Sequence, residues 1–304
     1  LAARAWREMG ATLPFLLIGD PRHLPAGTPE AEIADPAETA RAAERGLPVL
    51  PHAFAAPATP GRPEPANARG VVDVIARGVT LVTEGRAAAV CTLPIQKQAL
   101  AEGCGFPYPG HTEYLAALAG GVDVAMMLVS PRLRVVPATI HIPLRDVPDA
   151  LTADRLERVL RLTHEGLREL FGLSRPRIAV AGLNPHAGEG GRMGREEIDT
   201  IAPLLERLRG AGLLLEGPRS ADTLFHAAAR ESYDAAVAMY HDQALIPVKT
   251  LDFDRGVNLT LGLPFVRTSP DHGTAFDIAG TGRANPASTL EALRLAAQLA
   301  GSGA

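Results

Sequence analysis

The feature that most constrains this chain is an alternation of short apolar, β-branched runs with longer amphipathic stretches, kept up over most of its 304 residues. "PFLLIGD", "RAAAVCTLP", "VDVAMMLVS", "LRVVPATIHIPL", "RPRIAVAG", "GLLLEGP" and "DAAVAMYHDQ" read as buried strands. Between them, "ARGVVDVIARGVTLVTEG", "HTEYLAALAG", "DRLERVLRLTHEGLRELFG", "REEIDTIAPLLERLRG" and "ADTLFHAAARESY" place apolar residues at helical spacing. Strands that are apolar throughout need cover on both faces, and intervening helices supply it. The class is therefore α/β, with mostly parallel sheets flanked by helices. One stretch departs from the rhythm: residues 23–70 are rich in Pro, Ala and Gly and read as surface loop with short helical or strand pieces. Thr112 and Glu113 are expected to cap the helix after Gly110, and Asp154 and Gly172 to bracket the long helix between them.

With 46% hydrophobic residues the chain can bury a sizeable core, and its length suits two domains. A net charge of −4 gives no basic stripe for a phosphate backbone, so no nucleic acid is expected as partner. Two cysteines, Cys91 and Cys104, make neither a disulfide framework nor a thiolate metal site and point to a reducing compartment. No apolar run approaches the roughly 18 residues of a spanning helix, and the start lacks a signal-peptide layout. The expected location is cytoplasmic, without membrane contact. The chain opens on Leu1, and residues are expected to precede it. Of 30 Lys and Arg residues only Lys97 and Lys249 are lysines. Lysine in so arginine-rich a chain marks either a need for a compact ammonium or chance, and for Lys97 both readings stay open.

Among nine histidines, His164 and His226 fall in expected helices and His23 and His52 in loops, and none of these is assigned a role. His141, His186 and His241 each sit in or just after an expected strand. Ligands in open α/β sheets gather outside the carboxyl ends of strands, and three neutral imidazoles with an open position form a catalytic zinc-type set. Taken singly, each is more often a structural histidine, and spacing alone does not decide. Asp242, beside His241, suits a proton acceptor, an outer partner for an imidazole, or a turn carboxylate. "HAGEGGRMGREE" leads glycines toward a helix but matches neither a P-loop nor a dinucleotide fingerprint, and reads as a flexible loop. "SPDHGTAFDIAGTGRANPAS" could wrap an adenosine with Asp277 accepting from ribose hydroxyls, or be a solvated loop.

Taken together, "GHTEYLA", "TIHIPLR", "GLNPHAGEGGRMGREEIDTI", "YHDQALIPVK" and "GVNLTLGLPFVRTSPDHGTAFDIAGTG" resemble the 4-hydroxythreonine-4-phosphate dehydrogenase family of the pyridoxal phosphate pathway, from about residue 15 to the end. The resemblance implies a two-domain isopropylmalate dehydrogenase-like fold, not a Rossmann fold. Residues 1–120 with 255–304 would form the cofactor side, residues 121–254 the metal and dimerisation side, and the active site the cleft. It implies NAD as cofactor and one divalent metal on His141, His186 and His241: zinc first, with cobalt, magnesium or nickel as alternatives. His111, Thr112, Lys249, Asn258 and Arg267 match substrate-binding positions; His272, Asp277 and Asn285 match the NAD loop. Lys249 and Asp242 are the candidates for catalytic proton transfer. The implied reaction oxidises 4-hydroxythreonine 4-phosphate at C3 and loses carbon dioxide, in a homodimer with the site at its interface. Oxidation of a threonate or erythronate phosphate, or of a dihydrodiol dicarboxylate, is the alternative; acyl transfer or non-catalytic ligand binding is the alternative of another class. The family's initial strand and "GEPAGIGPE"-like loop are not seen before Leu1, and its "PINK" reads "PIQK", with Gln96 for Asn.

Overall fold

A computed structural model describes residues 1–301. The polypeptide forms two compact units, Leu1–Val122 with Leu263–Ala300, and Asp123–Gly262. Along the first pass through unit 1 run strands β1 (Leu17–Gly19), β2 (Glu30–Glu32), β3 (Leu47–Pro51) and β4 (Ala89–Cys91). Helices α1 (Ala2–Met9), α2 (Thr39–Ala43), α3 (Ala68–Thr83), α4 (Lys97–Cys104) and α5 (His111–Leu118) accompany them. Unit 2 contains β5 (Ala125–Val129), β6 (Arg134–Pro137), β7 (Arg177–Ala181), β8 (Leu214–Arg219), β9 (Ala235–Ala238) and β10 (Val257–Leu261). Its helices are α6 (Val147–Ala150), α7 (Ala153–Glu169), α8 (Ala202–Gly210), α9 (Ala227–Arg230) and α10 (His241–Asp252). The chain then returns to unit 1 as β11 (Val266–Pro270) and α11 (Ala287–Gly301).

In unit 1, β1 and β2 flank β3 in parallel, and β4 runs parallel to β11. In unit 2 the strand order is β10-β5-β6-β9-β7-β8, with β5 antiparallel to both of its neighbours, β10 and β6, and β6, β9, β7 and β8 parallel. The α/β class with mostly parallel strands is what the chain forms. β10 pairs with β5 through five residues, and this ladder holds it in unit 2, eight residues past the sequence boundary at 254. Among the described residues no helix is long and apolar enough to cross a membrane.

The cores follow the apolar periodicity. Ile75 and Val79 of α3 pack with Leu100, Phe106, Tyr114 and Leu115 in unit 1. In unit 2, Leu128, Val135, Ala179 and Ala236 of the sheet meet Ala244, Leu245 and Val248 of α10. Such burial contributes about 1.5–3 kcal/mol for each large aliphatic side chain.

Several local expectations are corrected. β3 is not part of a surface loop: Leu47 and Val49 are fully buried and it is the central strand of three. Its prolines at 48 and 51 disguise it, since proline is scarce in central strands. "ADTLFHAAARESY" is not one helix but a tight turn at Ala221–Thr223 and the single helical turn of α9; His226 caps that turn through Nδ1. α5 starts at His111 with Gly110 as its cap, so Thr112 lies inside the helix and caps nothing. Gly172 follows α7 with a left-handed φ of 67° as expected, while Thr152 rather than Asp154 caps its start and Asp154 lies in the first turn.

Candidate active site

β6, β9 and β7 are neighbouring parallel strands, and each releases a histidine beyond its carboxyl end. His141 follows β6, His241 opens α10 after β9, and His186 follows β7. Their shared position arises because an apolar run must end where its backbone leaves the sheet, which frees the next residues to carry polar side chains. The rings of His141 and His241 lie 5.8 Å apart between centroids. Among the described residues no three His, Cys, Asp or Glu side chains converge to hold an ion.

The backbone marks two of the three. His141 and His186 have φ of 54° and 52°, left-handed values that L-residues adopt at a cost of roughly 1–2 kcal/mol. "ATIHIPL" is therefore not strand up to its histidine; β6 stops at Pro137 and His141 sits in a turn.

Carboxylates stand beside two imidazoles. Asp242 Oδ1 is 2.7 Å from His241 Nδ1, which leaves Nε2 of that ring to face a ligand. Asp222 is held below the usual carboxylate range, first by the Ser220 hydroxyl donating over 2.5 Å and also by the proximity of His186. Sequence reasoning missed Asp222, because "SADTLF" reads as an ordinary turn and only the fold brings it near His186. Gln243 stitches the strand ends together: its Oε1 accepts from Met239 N at 2.6 Å and its Nε2 donates to Gly182 O at 2.8 Å. This fixes the exit of β9 against the exit of β7.

Lys249 lies seven residues after Asp242 on α10, so both occupy one helix face, and its ammonium is 5.7 Å from the centre of the Phe253 ring. Asn258, on β10, has its side-chain oxygen buried without a hydrogen-bond partner among the described residues. A buried, unsatisfied acceptor is costly, and a bound donor would relieve it.

Unit 1 holds a second cluster. Arg267, on β11, is 2% exposed and donates from Nη2 to Thr92 Oγ1 over 2.6 Å. Burial lowers its pKa to about 10, which leaves it charged at neutral pH. His111 opens α5; burial first, then the cations of Arg267 and Lys97, lower its pKa to about 3. It is thus a neutral imidazole across the ordinary range. Lys97 is the first residue of α4, whose start is capped by the Gln96 side chain accepting from Ala99 N. A Cβ added at Gly110 would lie 3.5 Å from Lys97 Nζ, so the ammonium packs against the N-terminus of α5. Two cations, a neutral imidazole and the start of a helix suit a compact anion. Thr112 sits next to His111 in the same first turn.

The remaining candidates share a loop. His272, Asp277 and Asn285 are exposed; His272 Nδ1 is 2.9 Å from Gly273 O, and Asn285 Oδ1 accepts from Ala287 N at the entry to α11. Ala275 holds a left-handed φ of 47° just before the short turn that carries Asp277.

Histidines beyond adjacent strand ends in unit 2, and two cations around a neutral histidine in unit 1, are side chains of the kinds found in enzymes that bind small anions. The profile of the pyridoxal phosphate biosynthetic protein PdxA family matches residues 12–296. A 4-hydroxythreonine-4-phosphate dehydrogenase of Ruegeria sp. is 63% identical over 99% of this chain and 92% of its own length. The crystal structure of a 4-hydroxythreonine-4-phosphate dehydrogenase from Klebsiella pneumoniae is 40% identical over 94% of this chain and 88% of that one, with a TM-score of 0.85. A terephthalate 1,2-cis-dihydrodiol dehydrogenase from Burkholderia xenovorans is 30% identical over 98% and 92%, with a TM-score of 0.65. The chain belongs to the pyridoxal phosphate biosynthetic protein PdxA family.

Proposed function

We propose that this protein oxidises 4-hydroxythreonine 4-phosphate at its C3 hydroxyl with NAD, the resulting β-keto acid losing carbon dioxide to give 3-amino-2-oxopropyl phosphate. The observation that carries this reading is the 63% identity to a relative of that name across nearly the whole chain. Side chains of the kinds such a reaction needs support the reading. Arg267, Lys97, His111 and Thr112 hold the phosphate, the neutral imidazole accepting or donating without adding charge. Asn258 orients the substrate through its unsatisfied oxygen.

The donor chemistry of His141, His186 and His241 fits a borderline divalent cation, zinc before cobalt or nickel, and suits magnesium, a hard cation that prefers oxygen donors, least. Such a cation, when bound, would supply Lewis acidity toward a substrate oxygen. Asp242 holds the His241 ring in its tautomer, and either Lys249 or Asp242 takes the alcohol proton. His272, Asp277 and Asn285 hold the dinucleotide, and the Asp277 carboxylate favours NAD by accepting from two ribose hydroxyls where a 2′-phosphate would be repelled.

The protein acts in the cytoplasm as a homodimer. Leu144, Ile246 and Phe253, exposed by 66%, 61% and 74%, support a second copy covering the part of unit 2 that carries His141 and α10. The dihydrodiol dicarboxylate remains the second reading, favoured by the 30% relative and outweighed by the closer one.

NADH formation is to be followed with 4-hydroxythreonine 4-phosphate, threonate 4-phosphate, erythronate 4-phosphate and terephthalate dihydrodiol, each with and without a chelator. We expect the first to dominate in kcat/KM and the chelator to abolish turnover. A preference for the dicarboxylate, or turnover indifferent to chelation, overturns the proposal.

A further inference from the structure

α8 is preceded by a π-helical turn, Glu197–Ile201. The wider turn shifts the helical phase and sends Glu197 inward, to 3% exposure, while its neighbour Ile198 is left 42% exposed. A buried carboxylate must be answered by donors, and among the described residues Asn184 supplies them. Asn184 donates its backbone N–H to Glu197 Oε1 over 2.8 Å and its side-chain Nδ2 to Oε2 over 3.0 Å. The same Nδ2 also reaches Glu196 Oε2 at 2.6 Å. Asn184 stands two residues before His186.

The surrounding backbone is shaped around that carboxylate. A Cβ at Gly182 would lie 3.0 Å from Oε1, and one at Gly188 2.6 Å from Oε2. Glu197 thus fills the space between the exit of β7 and the returning loop. That loop needs such a brace. Residues 186–190 all have positive φ, between 43° and 78°, and His186, Ala187 and Glu189 are not glycine. A run of this kind persists only where neighbouring groups over-determine it.

We propose that Glu197 is a positioning residue that holds His186 in its ligand pose, through Asn184 and the left-handed run. The inference rests on the reading of His186 as a metal ligand. Only a carboxylate accepts at both oxygens, so Glu197→Gln must turn an amide NH2 toward an Asn184 donor.

Co(II) titration of the metal-stripped, full-length protein tests this through its ligand-field spectrum. Glu197→Gln is expected to weaken Co(II) binding about ten- to a hundredfold and to alter the visible bands. Gly188→Ala, which crowds Oε2 without removing the carboxylate, should change affinity and bands in the same direction, and it decides the matter if Glu197→Gln does not fold. Glu157→Gln removes a carboxylate paired with Arg161 and Arg207 and should leave affinity and bands as in the wild type. His186→Ala separates the two layers. If it keeps wild-type Co(II) affinity, the ligand reading falls and this inference with it. If it loses affinity while folded Glu197→Gln and Gly188→Ala bind as the wild type does, the positioning role alone is overturned.

Discussion

Replacing His111 with asparagine should erase a pH dependence of stability that the unaltered chain carries. The folded imidazole titrates near 3 and the unfolded one near its ordinary 6.5, the difference arising from burial and then from the cations of Arg267 and Lys97. Below pH 6.5 the unfolded chain binds a proton that the folded chain does not. The contribution is therefore complete above 6.5 and is lost as the pH falls from there toward 3. Between pH 7 and pH 5.5 the unfolded state gains a factor of roughly 8 in its binding polynomial, about 1 kcal/mol. This figure depends only on the folded value lying well below 5.5. Urea unfolding followed by circular dichroism at both pH values, in both proteins, isolates it, because the other titrating groups enter alike and cancel in the difference. Equal pH dependence in the two proteins would refute the argument that Arg267, Lys97 and burial together keep His111 uncharged.

Two more outcomes follow from the site. Asp277→Asn should narrow the preference for NAD over NADP by about tenfold or more, since the repulsion of a 2′-phosphate is removed while a hydrogen-bonding side chain stays; an unchanged ratio of kcat/KM for the two cofactors counts against a role at the ribose. Lys249→Ala and Asp242→Asn are to be compared in single-turnover hydride transfer, where the variant that loses the proton acceptor should slow by about 10²–10⁴. Full rates in both variants eliminate both residues as acceptor.

The parts of the architecture that repeat were open to sequence reading, because an apolar run or a helical stripe repeats its signal over many residues. His141, His186 and His241 could be singled out for the same reason: each is the first imidazole after an apolar run. What stayed hidden depends on single residues whose meaning only tertiary structure assigns. "LPVLP" is a buried central strand, yet its prolines argue against one. Glu197 belongs to a "REEID" stretch that looks like a solvated helix face, and a change of helical phase by one residue turns it inward. Asp222 comes near His186 through a turn whose composition carries no chemical signature. His111 combines both cases, since its place in a motif was visible while its cationic neighbours, Lys97 and Arg267, come from α4 and β11.

If His141 and His186 serve as proposed, their left-handed torsions set the molecule's durability against its chemistry. Glycine fits such a conformation without steric penalty, so at these two points the substitution easiest on the backbone is also one that deletes an imidazole. On the proposed roles of these histidines, screens that select for thermal resistance alone should drift toward sturdier, inert descendants at these positions, and an effort to toughen this scaffold would hold both histidines fixed while it searches elsewhere.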